Sequence, residues 1–522
     1  MTEKRLPRDP NYKWLVMIVV MVGMIMAMLD SSIVNVSIPT IMADFGANIS
    51  DIEWVVTAYM LAFAVLMPLT TWLRDRIGHK FLYILSLGLF TGGSLLCGLA
   101  PNLPALIFAR VIQALGGGAM TPTGMAMIAE VFGPKERGRA MGIFGITIVI
   151  GPAFGPTLGG FITMTFGWRW VFLVNLPIGI LCAMLAMAWL AHDRPHGKTH
   201  RSFDFWGFVF LSLFLTSFLL GLSRGETEGW TSRYILTCAA LTIFGFISFL
   251  ITETLVRDKI MDIGLFRHPV FSVAMLISTI RSIALFGSIF LLPLFLQQLK
   301  GMTAIQSGLT LLPGSLVMAV AMPAVGWFSD RSSPRFLCFV GMSLMLVSMF
   351  MYRNISIYMS NWQIVYPTMI RGVGMCFLMA PIMMLALNSV PKHKTGMASS
   401  MISIIQQVGG AIGIAVLSTV LDNRTKFHLN TVTAAINTNS AAFTAARQGI
   451  MQRATELGYS HANSSASAVV SLMKFINIAC VNFGFQDAFV FASALILLSI
   501  IPIYLLPNKH VIHQSQQDII EV

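Results

Sequence analysis

Two ionisable residues stand deep inside apolar runs of this sequence: Asp30 in the run 14–38 and Arg110 in the run 104–132. A charged side chain in a bilayer is costly, so it needs a partner or a task. Asp30 lies about seven residues, roughly 10 Å, inside the outer end of its run, and Arg110 about six residues inside its own, which sets both at one depth. Low dielectric favours a protonated carboxyl and a neighbouring arginine favours an ionised one. A pair that separates and rejoins can therefore bind and release a proton. A static pair would only hold two helices together.

Asn35 and Gln113 share that outer half. They either hydrogen-bond between helices or line a substrate route. Arg281 and Arg371 are cations inside later runs that contain no acid. Their partners are helix carbonyls, water or an anionic substrate group. Gly151, Gly155 and Gly159 fall four apart on one helical face, next to Pro152, Pro156 and Gly160. Such a face permits close helix approach, and each proline removes a backbone donor, which suits a moving interface as well as ordinary packing. Asp75-Arg76 and Asp330-Arg331 end two corresponding runs and read as a latch or as topology charges. Glu130 and Glu253 fall at run ends, where surface exposure is expected.

The elements that position these residues are membrane spans. Of 522 residues, 56% are apolar and 11% charged, against about a quarter charged in soluble proteins. Mean hydropathy is +0.76. About twenty apolar residues span a bilayer, and fourteen such runs follow one another, the last two at 396–421 and 486–506. The fold class is an all-α polytopic membrane protein. Of 34 Lys and Arg, 21 fall on the side of the termini, and three, Arg110, Arg281 and Arg371, lie inside spans. That bias places both termini in the cytoplasm and accounts for the net charge of +12 without a nucleic-acid partner. The six cysteines lie mostly in apolar runs and read as small hydrophobes.

The motif around Asp75-Arg76 recurs at Asp330-Arg331, and the Arg110 run recurs at Arg371. Residues 1–200 thus form one six-helix bundle, 201–260 two inserted linker helices, and 261–522 a second bundle with a long extracytoplasmic loop at 422–485. Parallel halves around a midplane site are a transporter plan. In the loop, Val469, Leu472, Met473, Ile476, Cys480 and Phe483 recur at helical spacing. They form an amphipathic helix that packs on the outer span ends or docks a partner.

The sequence has no G-x-x-x-x-G-K-[ST] loop, no H-E-x-x-H and no G-x-S-x-G, so no enzyme is expected. His192, His196 and His200 are spaced by four, but Pro195 and Gly197 interrupt them, and no metal site is expected.

At several of these residues the sequence resembles the major facilitator superfamily, in particular its fourteen-span drug:proton antiporters of the EmrB/QacA type. The resemblance is carried by Leu29-Asp30-Ser31-Ser32-Ile33-Val34-Asn35-Val36 and Pro39, by residues 71–80, by Arg110 to Gly118 and by Gly151 to Gly160. Trp168-Arg169-Trp170, Asn175-Leu176-Pro177 and Leu292-Pro293-Leu294-Phe295-Leu296-Gln297 add to it. Thr71 and Ala114 stand where that family usually has glycine.

The resemblance implies two six-helix bundles plus two linker helices in a bacterial cytoplasmic (inner) membrane. It implies proton-coupled multidrug efflux of lipophilic or amphipathic compounds by alternating access, driven by the proton gradient without a cofactor. Asp30 and Arg110 would couple protons, Gly151 to Gly160 would form the antiporter helix, and Asp75 and Arg76 a conformational latch. Some relatives of this kind work with a periplasmic adaptor and an outer-membrane channel. Two other readings stay open: a dedicated exporter of one metabolite, siderophore or lipid, and a non-transporting receptor or scaffold.

Overall fold

The computed structural model describes residues 11–133, 136–191, 202–256, 258–391, 394–435, 444–445, 448–452 and 461–508. His192, His196 and His200 lie outside the described residues. So do the cations Lys4, Arg5, Arg8, Lys135, Arg194, Lys198, Arg201, Arg257, Lys392, Arg447, Arg453 and Lys509.

Long helices traverse the molecule in alternating directions: α1 (Tyr12–Phe45), α2 (Trp54–Ile77), α3 (His79–Gly98), α4 (Leu103–Val131), α5 (Arg137–Phe166), α6 (Arg169–Trp189), α7 (Phe205–Glu228), α8 (Arg233–Leu255), α9 (Pro269–Leu299), α10 (Ala304–Ser329), α11 (Pro334–Met351), α12 (Asn361–Asn388), α13 (Thr395–Ala435) and α14 (His461–Ile503). Among the described residues thirteen are long and apolar enough to cross a membrane. The thirty-residue α5 fills the remaining place that the sequence assigns to a span. The chain is a multi-pass membrane protein.

Helix starts follow local chemistry. Asn102 caps α4 by accepting from Ala105 N, and Asp204 caps α7 by accepting from Gly207 N. Thr303 with Gln306 and Ser360 with Gln363 form capping boxes at α10 and α12. Gly46 ends α1 in the left-handed conformation that glycine adopts without strain. In α9, Pro293 is followed by a π turn at Phe295–Leu299, the register slip that a missing N–H invites.

The repeat predicted from sequence is visible in the packing. In one bundle α1 packs on α5 and α3 on α4; in the other α9 packs on α13 and α11 on α12. Between bundles, α5 packs along α10 and α13 meets α2, which is one interface with its partners exchanged. The inserted α7 and α8 pack on each other, and α7 also reaches α2 and α13. The end of the bundle where α1 begins and α14 finishes is the terminal end; the opposite one is the far end.

Residues 422–435 and 461–485 depart from the expected loop 422–485. Helix α13 has 41 residues and α14 has 43, so each is about 60 Å long, twice the roughly 30 Å of a hydrocarbon core. Arg424 Nε and His428 Nε2 of α13 meet the Asp487 carboxylate of α14 at 2.6 and 2.8 Å. The helical spacing is present as the first part of α14, but the stripe is not a covered face: Cys480 is buried, Leu472 and Ile476 are half-buried, and Met473 and Phe483 are exposed.

Close approach of α3 and α4 rests on Gly116. A Cβ there would run into the backbone N of Phe90 and come within 2.5 Å of Ser86 O. At Gly88 on α3 a Cβ would meet nothing within 4 Å. Gly116→Leu is expected to abolish the monodisperse peak of detergent-extracted protein in size-exclusion chromatography. Gly88→Leu is expected to leave it intact.

Candidate functional site

Asp30 is 0% exposed and Arg110 1% exposed. Arg110 Nη1 donates to Asp30 Oδ2 at 2.7 Å. Gln113 Nε2 and Asn175 Nδ2 both donate to Asp30 Oδ1, at 2.8 and 2.7 Å. Ser94 Oγ accepts from the same two amides, at 2.7 and 3.3 Å. Arg110 also donates to Gln113 Oε1 at 2.5 Å and to Val55 O at 3.3 Å. Its guanidinium lies over the Tyr59 ring, 4.0 Å from the centroid. One carboxylate thus gathers side chains from α1, α3, α4 and α6, and α2 contributes the ring and the Val55 carbonyl.

The depth arithmetic correctly brings Asp30, Arg110 and Gln113 together. Asn35 is exposed on another face of α1 and does not join them. Asn175, Ser94 and Tyr59 are members that the sequence reading missed as site residues. Asn175 had one visible signal, a lone amide in the apolar α6 run.

In the second bundle Arg281 is 3% exposed. It donates from Nη1 to Met375 Sδ at 3.7 Å and from Nη2 to the Ser278 and Ser282 hydroxyls at 3.4 Å, while its Nε has no partner. Arg371 Nη1 is likewise unpartnered. Among the described residues, neither arginine has a carboxylate within ion-pair distance.

The glycine ladder of α5 faces α1. A Cβ on Gly151 would strike Met28 O, one on Gly155 would strike Ser32 Oγ, and one on Gly159 would lie 3.1 Å from Ile33 Cα. Met28 and Ser32 flank Asp30, so the carboxylate stands between two of these contacts. Gly160 and Pro156 face α10, against Ile305 and Gly308. Pro152 lies within α5.

At the terminal end the two bundles are tied by polar bonds. Asp330 accepts from Gly138 N at 2.7 Å and Arg139 N at 3.0 Å, capping the first turn of α5, where orphan amides and the helix dipole favour an anion. Burial raises the Asp330 carboxyl above the usual carboxylate range, against the pull of these amides and the Arg139 charge. Arg137 Nη1 donates to Asn388 Oδ1 at 2.6 Å, and the Thr70 and Thr71 hydroxyls each lie 3.1 Å from Ser400 Oγ.

Of the expected latch residues, Asp330 bridges the bundles. Asp75 takes two bonds from neighbouring Arg74, at 2.9 and 2.6 Å. Arg76 and Arg331 lie over Trp72 and Trp327, one turn back on their own helices. Glu130 is exposed as expected and pairs with His79 at 3.3 Å. Glu253 departs from expectation: it is 1% exposed, because the start of α7 and the segment after α8 cover it.

The sequence profile of the Major Facilitator Superfamily matches residues 20–414. The chain belongs to that superfamily. It is 34% identical over 499 residues to the Multidrug resistance protein B homolog of Mycobacterium tuberculosis, covering 94% of this chain and 89% of the relative. It is 32% identical over 445 residues to Multidrug export protein EmrB of Haemophilus influenzae, covering 84% and 86%. It is also 32% identical over 439 residues to Riboflavin transporter RibZ of Clostridioides difficile, covering 83% and 94%. The solved proton:xylose symporter XylE shares the fold at a TM-score of 0.58 and 13% identity, covering 98% and 99%.

Within this facilitator fold the threonine at position 71 has a local use, because its hydroxyl reaches Ser400 in the other bundle. Removing one partner of a buried ion pair leaves an uncompensated charge and typically costs about 3–5 kcal/mol. Arg110→Met is therefore expected to lower the thermal midpoint of the purified protein sharply. Adding Asp30→Asn is expected to recover part of that loss, as measured by differential scanning fluorimetry.

Proposed function

We propose that the protein is a proton-coupled multidrug exporter that moves lipophilic and amphipathic compounds by alternating access. The observation that carries this reading is the buried Asp30 carboxylate, with three donors on it and an α5 contact on either side. Ionised, it accepts all three bonds and balances Arg110. A proton cancels that charge and turns one acceptor oxygen into a donor. Arg110 then stands as an uncompensated cation in low dielectric, which the bundle relieves by moving. Displacement of α1 at Met28 and Ser32 pushes on Gly151 and Gly155, and α5 carries it to the turn that Asp330 caps. Opening that end admits substrate, and deprotonation restores the closed arrangement.

Gln113 is committed to Asp30 and Ser94, so its role is coupling rather than substrate contact. Asn35, Arg281 and Arg371 remain for the substrate route, Asn35 as an exposed amide and the two arginines as cations with spare donors. Asp75, Arg76, Asp330 and Arg331 form the latch, with Asp330 as its bridging member. The proton gradient supplies the energy and no cofactor is needed.

The excess of Lys and Arg at the terminal end supports a cytoplasmic position for it and both termini, in a bacterial inner membrane. The far-end extension of α13 and α14 is the surface a periplasmic adaptor, leading to an outer-membrane channel, would use. Two of the relatives carry multidrug names, which supports a broad substrate range. The relative named for riboflavin favours a second reading, a dedicated exporter of one metabolite.

In proteoliposomes, Asp30→Asn is expected to insert normally and to lose substrate-evoked proton flux. Wild-type flux from that variant would overturn the coupling role, and absence of flux in the parent with every compound would favour a receptor or scaffold. A resistance panel separates the transport readings: deletion sensitising cells to several unrelated toxins supports multidrug export, and sensitivity to one compound supports the dedicated exporter.

A further inference from the structure

Glu253 lies near the terminal end of α8, 1% exposed; the Met261 backbone N–H is the one donor directed at it, and neither oxygen has a hydrogen bond of ordinary geometry among the described residues. Asp204, the cap of α7, is also buried, and its Oδ2 has no partner either. Asp204, Asp262 and Lys259 act electrostatically on Glu253. The other charges around it are already engaged. Asp262 accepts from Lys394 Nζ at 2.5 Å and from Gly264 N at 2.9 Å. Burial opposes its ionisation, but these bonds and the Lys394 and Lys259 charges hold its carboxyl below the usual range. Asp258 accepts from the Ser202 amide and hydroxyl at 3.0 and 3.1 Å. Arg76 of α2 lies over Trp72. Among the described residues, half-buried Lys259 is the cation acting on Glu253.

A buried carboxylate with so little hydrogen bonding is tolerated as the neutral acid and is costly as an anion. Two neighbouring carboxylates, three of whose oxygens have no hydrogen bond of ordinary geometry, relieve this most simply when at least one of them holds a proton. Two are too few to build a divalent-metal shell.

The surroundings make this position sensitive to the gate. Beside Asp204, one small cavity is lined by Thr71 and Trp72 of α2, Asp258, Lys259 and Ile260 after α8, and Met397 of α13. It therefore spans both bundles at the level where Thr70 and Thr71 meet Ser400. Separating α2 from α13 would open that wall to water.

We propose that Glu253 and Asp204 form a second proton-binding site, on the inserted helix pair, which is occupied when the terminal end is closed and emptied when it opens. The proton comes from water at the terminal end and returns to it, so the site does not carry a proton across the membrane and is independent of Asp30. Because the closed state holds the extra proton, closure is favoured as pH falls on that side and weakens as pH rises.

The experiment uses the full chain in nanodiscs with Asp30→Asn, so that Asp30 cannot titrate. Infrared spectra are expected to show a protonated-carboxyl band that Glu253→Gln removes and Glu130→Gln does not. Spin labels at the exposed Phe81→Cys and Phe336→Cys, at the terminal ends of α3 and α11, report the gate. Starting from the open population that Asp30→Asn favours, lowering the pH is expected to reduce the open fraction at least severalfold, and Glu253→Gln to keep it reduced at every pH. Asp204→Asn keeps the oxygen that caps α7 and is expected to blunt the shift, which covers the case in which Glu253→Gln fails to fold. An unaltered pH response in both variants overturns the proposal. So does a gate that responds to sodium at fixed pH, because the occupant would then be a metal cation.

Discussion

The Asp30–Arg110 pair is the constraint around which the first bundle is arranged. Two opposite charges sit in a bilayer interior, and each is tolerable there because of the other. A buried pair gives little net stability over apolar packing, yet breaking it is expensive. Its geometry must therefore be held by neighbours. Gln113 and Asn175 fill the second carboxylate oxygen, Ser94 receives both amides, and Tyr59 covers the guanidinium. A single proton on this carboxylate removes its charge and displaces at least one of its three donors. That makes it better suited to switching between states than to adding stability.

The rest of the molecule is arranged to receive such a change. Beside Asp30, helix α5 meets α1 through glycines, so little soft side-chain packing lies between them at that level. Its terminal end is tied to α10 by Asp330, and the related junction of α2 with α13 carries hydroxyl contacts to Ser400 instead. The repeat therefore reuses one architecture with different chemistry in each copy. The same asymmetry separates the bundles internally, because Arg110 has a carboxylate partner, whereas its counterpart Arg371 has none within ion-pair distance among the described residues.

What the sequence revealed was set by helical arithmetic. Depth along a span follows from a fixed rise, so Asp30 and Arg110 could be paired across 80 positions. The spacing that puts Arg76 on Trp72 and Arg331 on Trp327 is equally local, although it was first read as charge alone. Burial at a span end is not local. Glu253 looked like a surface residue because its cover comes from other elements. Arg137 and Asn388 lie 251 positions apart and are joined only where the two bundles meet. Residues 422–485 read as a loop because hydropathy falls where a helix leaves the bilayer, while the helical hydrogen bonds continue to Ala435 in α13 and begin at His461 in α14.

The central claim is that the charge state of Asp30 is transmitted through α1 and α5 to the terminal end. Pulsed electron paramagnetic resonance between labels at Phe81→Cys and Phe336→Cys measures that end directly. The account predicts that Asp30→Asn, which mimics the protonated side chain, gives a distance distribution distinct from the parent at neutral pH. It also predicts that Gly155→Val, which crowds the α1–α5 contact, abolishes the difference. Superimposable parent and Asp30→Asn distributions would contradict it.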